Sequence, residues 1–148
     1  MSTSIFKMNN ARVLFVSFLC LLLISCSTIS PFNQRAYEQA VTIKVDALAL
    51  MDKAATEPFG ENQHEVILLK IQVEKAYEYA RGLPKNEIVT KQWEIIKNPS
   101  SNSLGGFLVY WERNNTLSKT FVTEVKGVIS NGFDQVIELE SGKVKRSN

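Results

Sequence analysis

Apolar residues recur along most of this chain at alternating steps of three and four, the spacing of an amphipathic helix. Between 33 and 56 the series is Ala36, Ala40, Ile43, Ala47, Leu50 and Ala54. Tyr37, Val41, Leu48, Met51 and Ala55 widen the same face, and Glu38, Thr42, Asp46, Asp52 and Lys53 lie mostly away from it. The pattern predicts a long helix with a broad apolar side, ended by Glu57-Pro58-Phe59-Gly60. A second helix is expected from about Glu61 to Arg81, on Val66, Leu69, Val73, Ala76 and Ala80. Its end is expected to place Gly82 in the left-handed conformation, with Leu83 folding back and Pro84 unable to continue the helix.

Asn86 is expected to cap a shorter third helix with the stripe Val89, Trp93 and Ile96, stopped at Asn98-Pro99. Residues 99–106 read as a loop. Leu104, Phe107, Leu108 and Trp111 then show one-face spacing over about two turns, broken by Asn114-Asn115. Ser118 is placed to cap a last helix over 119–140, whose expected stripe is Val122, Val125, Ile129, Gly132, Val136 and Leu139. Gly127 and Gly132 each cost about 1 kcal/mol relative to Ala inside a helix, and they permit either a kink or a close helix contact. Gly142 ends this helix, and Lys143-Val144-Lys145-Arg146 begins a basic tail. No strand pair and no internal repeat stands out. The expected fold is all-α: an antiparallel bundle of about three long helices plus two short ones, with the 86–113 segment packed across it.

The N-terminal residues follow a different pattern. Lys7 and Arg12 precede an apolar run at 13–24. Twelve helical residues reach about 18 Å, short of a hydrocarbon core of about 30 Å. A positive start before a short apolar run is the pattern of a signal helix. The run ends in Leu23-Ile24-Ser25-Cys26, which resembles the lipobox of bacterial lipoproteins. The resemblance covers about the first 27 residues. It implies cleavage before Cys26, a diacylglycerol joined to the Cys26 sulfur through a thioether, and an acyl chain such as palmitate on the new amine. It implies no other cofactor. The anchor would hold the protein durably on a membrane, because each buried CH₂ contributes about 0.8 kcal/mol. Ser27 is not the Asp that marks inner-membrane retention in many Gram-negative lipoproteins, so the resemblance points to the periplasmic leaflet of the outer membrane. The chain then divides into a signal peptide at 1–25, a lipidated tether at 26–32, a helical body at 33–142 and the tail at 143–148.

This division changes the meaning of the composition. The net charge of the whole chain is +2, but Lys7 and Arg12 leave with the signal and all 15 acidic residues remain. Fifteen basic residues against fifteen acidic ones give the mature chain no net charge, which argues against nucleic acid as a partner. Cys20 leaves with the signal and lipidation consumes Cys26, so the body has no thiol for a disulfide and must rely on its apolar core.

Candidate chemistry is sparse. His64 is the only histidine, and position 68 is Leu where a zinc-binding helix would place a second histidine, so no metal site is expected. Glu57, Glu61 and Glu65, and likewise Glu74 and Glu78, alternate with Lys70, Lys75 and Arg81 as on a solvated, charge-mixed helix face, and Glu138 and Glu140 are assigned to solvent too. Ser100, Ser101 and Ser103 lack the base and oxyanion donors that a nucleophile needs. Gly105-Gly106 lacks the strand and the Lys-Ser/Thr of a phosphate loop, and is read as a tight turn or close contact.

Trp93, Phe107, Tyr110 and Trp111 form the one aromatic cluster. They either plug one end of the bundle or form a partner or ligand surface. No catalytic constellation is present, so the expected function is a non-enzymatic interaction module, anchored to the membrane and facing the periplasm. Its expected partner is an envelope protein. The alternative is a periplasmic small-ligand carrier or sensor with a pocket between helices.

Overall fold

A computed structural model describes residues 30–142 of the chain. The signal segment, Cys26 and the basic tail lie outside the described residues. The described chain is an all-α bundle of five helices with no strand. They are α1 (Gln34–Lys53), α2 (Phe59–Gly82), α3 (Glu87–Lys97), α4 (Leu104–Asn114) and α5 (Lys119–Gly142). Helix α1 packs on α2 and α5, and α3 packs on the same two, which closes a ring of four; α4 lies against α3 and α2.

Side-chain contacts fix the directions. Lys44 pairs with Asp134 and Asp52 with Lys126, so α5 runs back along α1. Asn33 bonds the Tyr79 hydroxyl while Lys53 bonds Glu65, so α2 also runs opposite to α1. The ring encloses Ala40, Ile43, Ala47 and Met51 of α1 and Val66, Leu69 and Val73 of α2. Trp93 of α3 meets Phe133 of α5 edge to face, with ring centres 6.0 Å apart. Burying a large apolar side chain of this kind contributes about 1.5–3 kcal/mol. The alanines of α1 leave room for its two neighbours to approach.

Several boundaries differ from expectation for reasons of backbone bonding. Helix α1 stops at Lys53 rather than at 56. The following N–H groups tighten onto carbonyls three residues back, and the Ala54 carbonyl accepts from Leu117 N–H at 2.8 Å. Helix α2 starts at Phe59, inside the stretch expected to be a break, because Asn115 accepts the Phe59 N–H at 2.8 Å. Gly82 is not left-handed: it is the last helical residue, and no described glycine has positive φ. The reversal falls at Lys85, φ 58°, one residue beyond Pro84. Asn86 precedes α3 as expected, but its side chain does not cap that helix. It donates instead to the Ala80 carbonyl at 3.0 Å and so closes the end of α2. Ser118 does accept from Phe121 N–H, at 3.3 Å, as an N-cap should.

The stripe of α5 is Val122, Ile129, Phe133, Val136 and Glu140. Phe133 takes the core position expected for Gly132. Glu140 is fully buried, which corrects its assignment to solvent, while Glu138 is exposed. A Cβ at Gly127 or Gly132 would meet nothing within 4 Å, so neither glycine mediates a close contact.

Candidate functional site

A cleft of about 510 Å³ lies between α2, α3 and α4. Its position follows from two glycines. A Cβ on Gly105 would stand 2.5 Å from the carbonyl oxygens of both Lys97 and Asn98, and one on Gly106 would collide with the Ser101 carbonyl. Only glycine lets the first turn of α4 press against the end of α3 this closely. The connecting loop is held in place by its own polar groups. Ser101 Oγ donates to the Ile95 and Asn98 carbonyls at 2.8 Å, and Asn98 Oδ1 accepts from Ser100 N–H at 2.9 Å. The loop serine hydroxyl therefore finishes α3 and is not presented as a nucleophile.

Helix α4 lines the cleft with two columns one turn apart, Leu104 above Leu108 and Gly105 above Val109. Val73 of α2, Ile96 of α3 and Pro99 add to the apolar floor. The rim is charged. Lys97 Nζ lies 2.9 Å from both carboxylate oxygens of Glu74 and 3.7 Å from the centre of the Tyr77 ring. Glu94 pairs with Lys91 at 2.7 Å, and this hydrogen bond holds its carboxyl below the usual carboxylate range. Lys70 makes no ion pair among the described residues. An apolar floor under a charged rim suits binding through shape and burial, with polar groups setting orientation.

The aromatic cluster divides between core and surface. Trp93, Phe107 and Trp111 are buried, and none of the three lines the cleft. Trp111 meets Phe59 edge to face, with centroids 5.5 Å apart, and Phe107 at 6.4 Å. Tyr110 alone is exposed, 4.9 Å from the ring of Phe121. The cleft does use the 99–113 segment, but through its aliphatic residues. The sequence singled out neither Lys97 nor Val109, and it marked Pro99 only as a helix stop and Lys70 only as part of a solvated face. The readable signal was Gly105-Gly106 shortly after Asn98-Pro99, which marks a close backbone approach.

His64 is exposed on α2. Among the described residues, no group of three or more His, Cys, Asp or Glu side chains is arranged to hold a metal ion. No described helix is long and apolar enough to cross a membrane. A smaller groove of about 260 Å³ runs between α1 and α2, past Asp46, Lys53, Glu65 and Leu68. No family model matches the chain, and neither a curated protein nor a solved structure matches it.

Proposed function

We propose that this protein is a lipid-anchored, periplasm-facing module of the bacterial cell envelope that holds a segment of a partner protein in the α2–α3–α4 cleft without catalysing a reaction. In this reading a signal helix is removed, Cys26 carries the diacylglycerol and the N-acyl chain, and the outer membrane is the site of anchoring. The body is then an antiparallel bundle of three long helices crossed by two short ones. The observation that carries the binding role is the aliphatic cleft, built on a glycine contact that costs helix stability and ringed by oriented charges. Leu23-Ile24-Ser25-Cys26 carries the anchor. Anchoring confines the cleft to a thin layer and raises its effective concentration for envelope partners.

A photo-crosslinking side chain at Val109 tests the reading in cells, with one at exposed Val45 of α1 as the control. The expected result is one discrete protein adduct from position 109, none from 45, and loss of the adduct in Cys26→Ala. Equal labelling from both positions contradicts it.

The cleft volume supports a second reading, a small-ligand carrier, since about 300–1,000 Å³ is the usual range for such sites. A carrier would gain thermal stability with rising ligand concentration and give no protein adduct from position 109.

A further inference from the structure

Helix α2 carries two stripes with helical spacing. The inner one, Val66, Leu69, Val73, Ala76 and Ala80, is buried in the bundle. The outer one runs Glu61, His64, Leu68, Ile71 and Lys75, again at steps of three, four, three and four. At its centre Leu68 is 47% exposed and Ile71 44%, and Ile67 beside them is 47% exposed. A stripe of this spacing with an apolar centre is what one helix presents to another. Three large aliphatic side chains together on one exposed face mark a contact surface.

The charges at the two ends identify the occupant. Glu61 and Lys75 lie on this face, seven residues before and seven residues after Leu68. Neither makes an ion pair among the described residues. We propose that the face pairs with the same face of a second copy, the two α2 helices running antiparallel about a two-fold axis at Leu68. That axis sets Leu68 against Leu68 and brings Glu61 of each copy to Lys75 of the other. A parallel pair would oppose Glu61 to Glu61 and Lys75 to Lys75, so the charge order selects the antiparallel one. One surface complementary to itself under a two-fold is the requirement of a closed dimer.

Three half-exposed aliphatic side chains fall well short of the roughly 20–30 residues a side of a stable interface. Pairing in dilute solution is therefore weak, and confinement on a membrane supplies the concentration. This last step rests on the lipid anchor. The two tethers leave near opposite ends of the pair, and a six-residue link from Cys26 reaches about 20 Å. The pair accordingly lies along the membrane surface.

The test is disulfide trapping of the full chain in cells with Leu68→Cys under a mild oxidant, scored in whichever fraction the chain occupies. The unsubstituted chain controls for Cys26, and Val45→Cys controls for random collision. A covalent dimer is expected from Leu68→Cys alone. Adding Glu61→Lys or Lys75→Glu singly should lower its yield at least about fivefold, and adding both should restore it to within about twofold. No dimer from Leu68→Cys overturns the pairing, and so does a double charge variant no better than the singles. A chain found only in the soluble fraction refutes the anchor, and the pairing is then judged by the same disulfide yields from the purified chain at raised concentration, where no dimer from Leu68→Cys again overturns it.

Discussion

Trp111 and Asn115 are joined twice. The Trp111 indole N–H donates to the Asn115 carbonyl at 3.0 Å, and the Asn115 N–H donates to the Trp111 carbonyl at 2.8 Å. The same Asn115 carbonyl accepts the first N–H of α2, from Phe59. One carbonyl thereby ties the end of α4 to the start of α2, and two residues on the Leu117 N–H ties the α4–α5 connection to Ala54, just past the end of α1. Asn115 reaches this geometry at φ 64° and ψ −46°, the strained conformation of a γ-turn, closed by Thr116 N–H donating to the Asn114 carbonyl at 2.7 Å.

Trp111→Phe should keep most of the packing and lose the indole donor, for a cost of about 0.5–1.5 kcal/mol, because the carbonyl of exposed Asn115 keeps its second donor, the Phe59 N–H. Trp111→Ala should cost about 3–5 kcal/mol through the added cavity. Chemical denaturation of the two variants measures both values. A loss in Trp111→Phe as large as in Trp111→Ala would show that packing is not what Trp111 mainly supplies.

Asn115 is a separate test of the backbone. Asn115→Gly should be neutral or slightly stabilising, and Asn115→Val should lose about 1–2 kcal/mol, since a β-branched residue resists positive φ. Equal melting temperatures for the two variants would contradict the strained turn.

The glycines should separate by site. Gly127→Ala meets open space in a helix interior and should stabilise by about 0.5–1 kcal/mol. Gly105→Ala and Gly106→Ala drive a methyl group into backbone carbonyls and should destabilise the fold. They should also open the contact that shapes the cleft. Paired thermal melts decide the sign at each position.

The helix stripes were legible wherever the period was unbroken. Leu104, Phe107, Leu108 and Trp111 were placed on one face by spacing alone, and all four are buried. The aromatic cluster was harder to interpret because neighbours in sequence diverge by about 100° on a helix. Tyr110 and Trp111 are adjacent, yet one faces solvent and the other the core. In α5 a glycine on the expected stripe carried no side chain to fill its place, so Phe133 took the core position and Glu140 followed it inward. The cleft was not legible, because it arises where Gly105 meets the end of α3, a contact that no single element's pattern contains. Hydrogen bonds from Asn86 and Asn115 across helix ends were hidden for the same reason.

The rim of the cleft has a measurable titration. Lys91→Ala removes the hydrogen bond that depresses the Glu94 carboxyl, so the Glu94 pKa should rise toward the ordinary carboxylate value. A depressed carboxylate contributes stability above its unfolded pKa and loses it as pH falls through the folded pKa. The wild-type contribution therefore fades only at acid pH, and both groups are exposed, so the change in stability should be small. NMR titration of the Glu94 side chain in the two proteins checks the direction.

The anchored module depends on the chemistry at one cysteine. The mass of the mature N-terminal peptide tests it most directly. The predicted result is a peptide beginning at Cys26 that carries a diacylglyceryl thioether and an N-acyl chain, absent in Cys26→Ala. A mature chain that begins elsewhere, or that begins at Cys26 without lipid, would contradict the account.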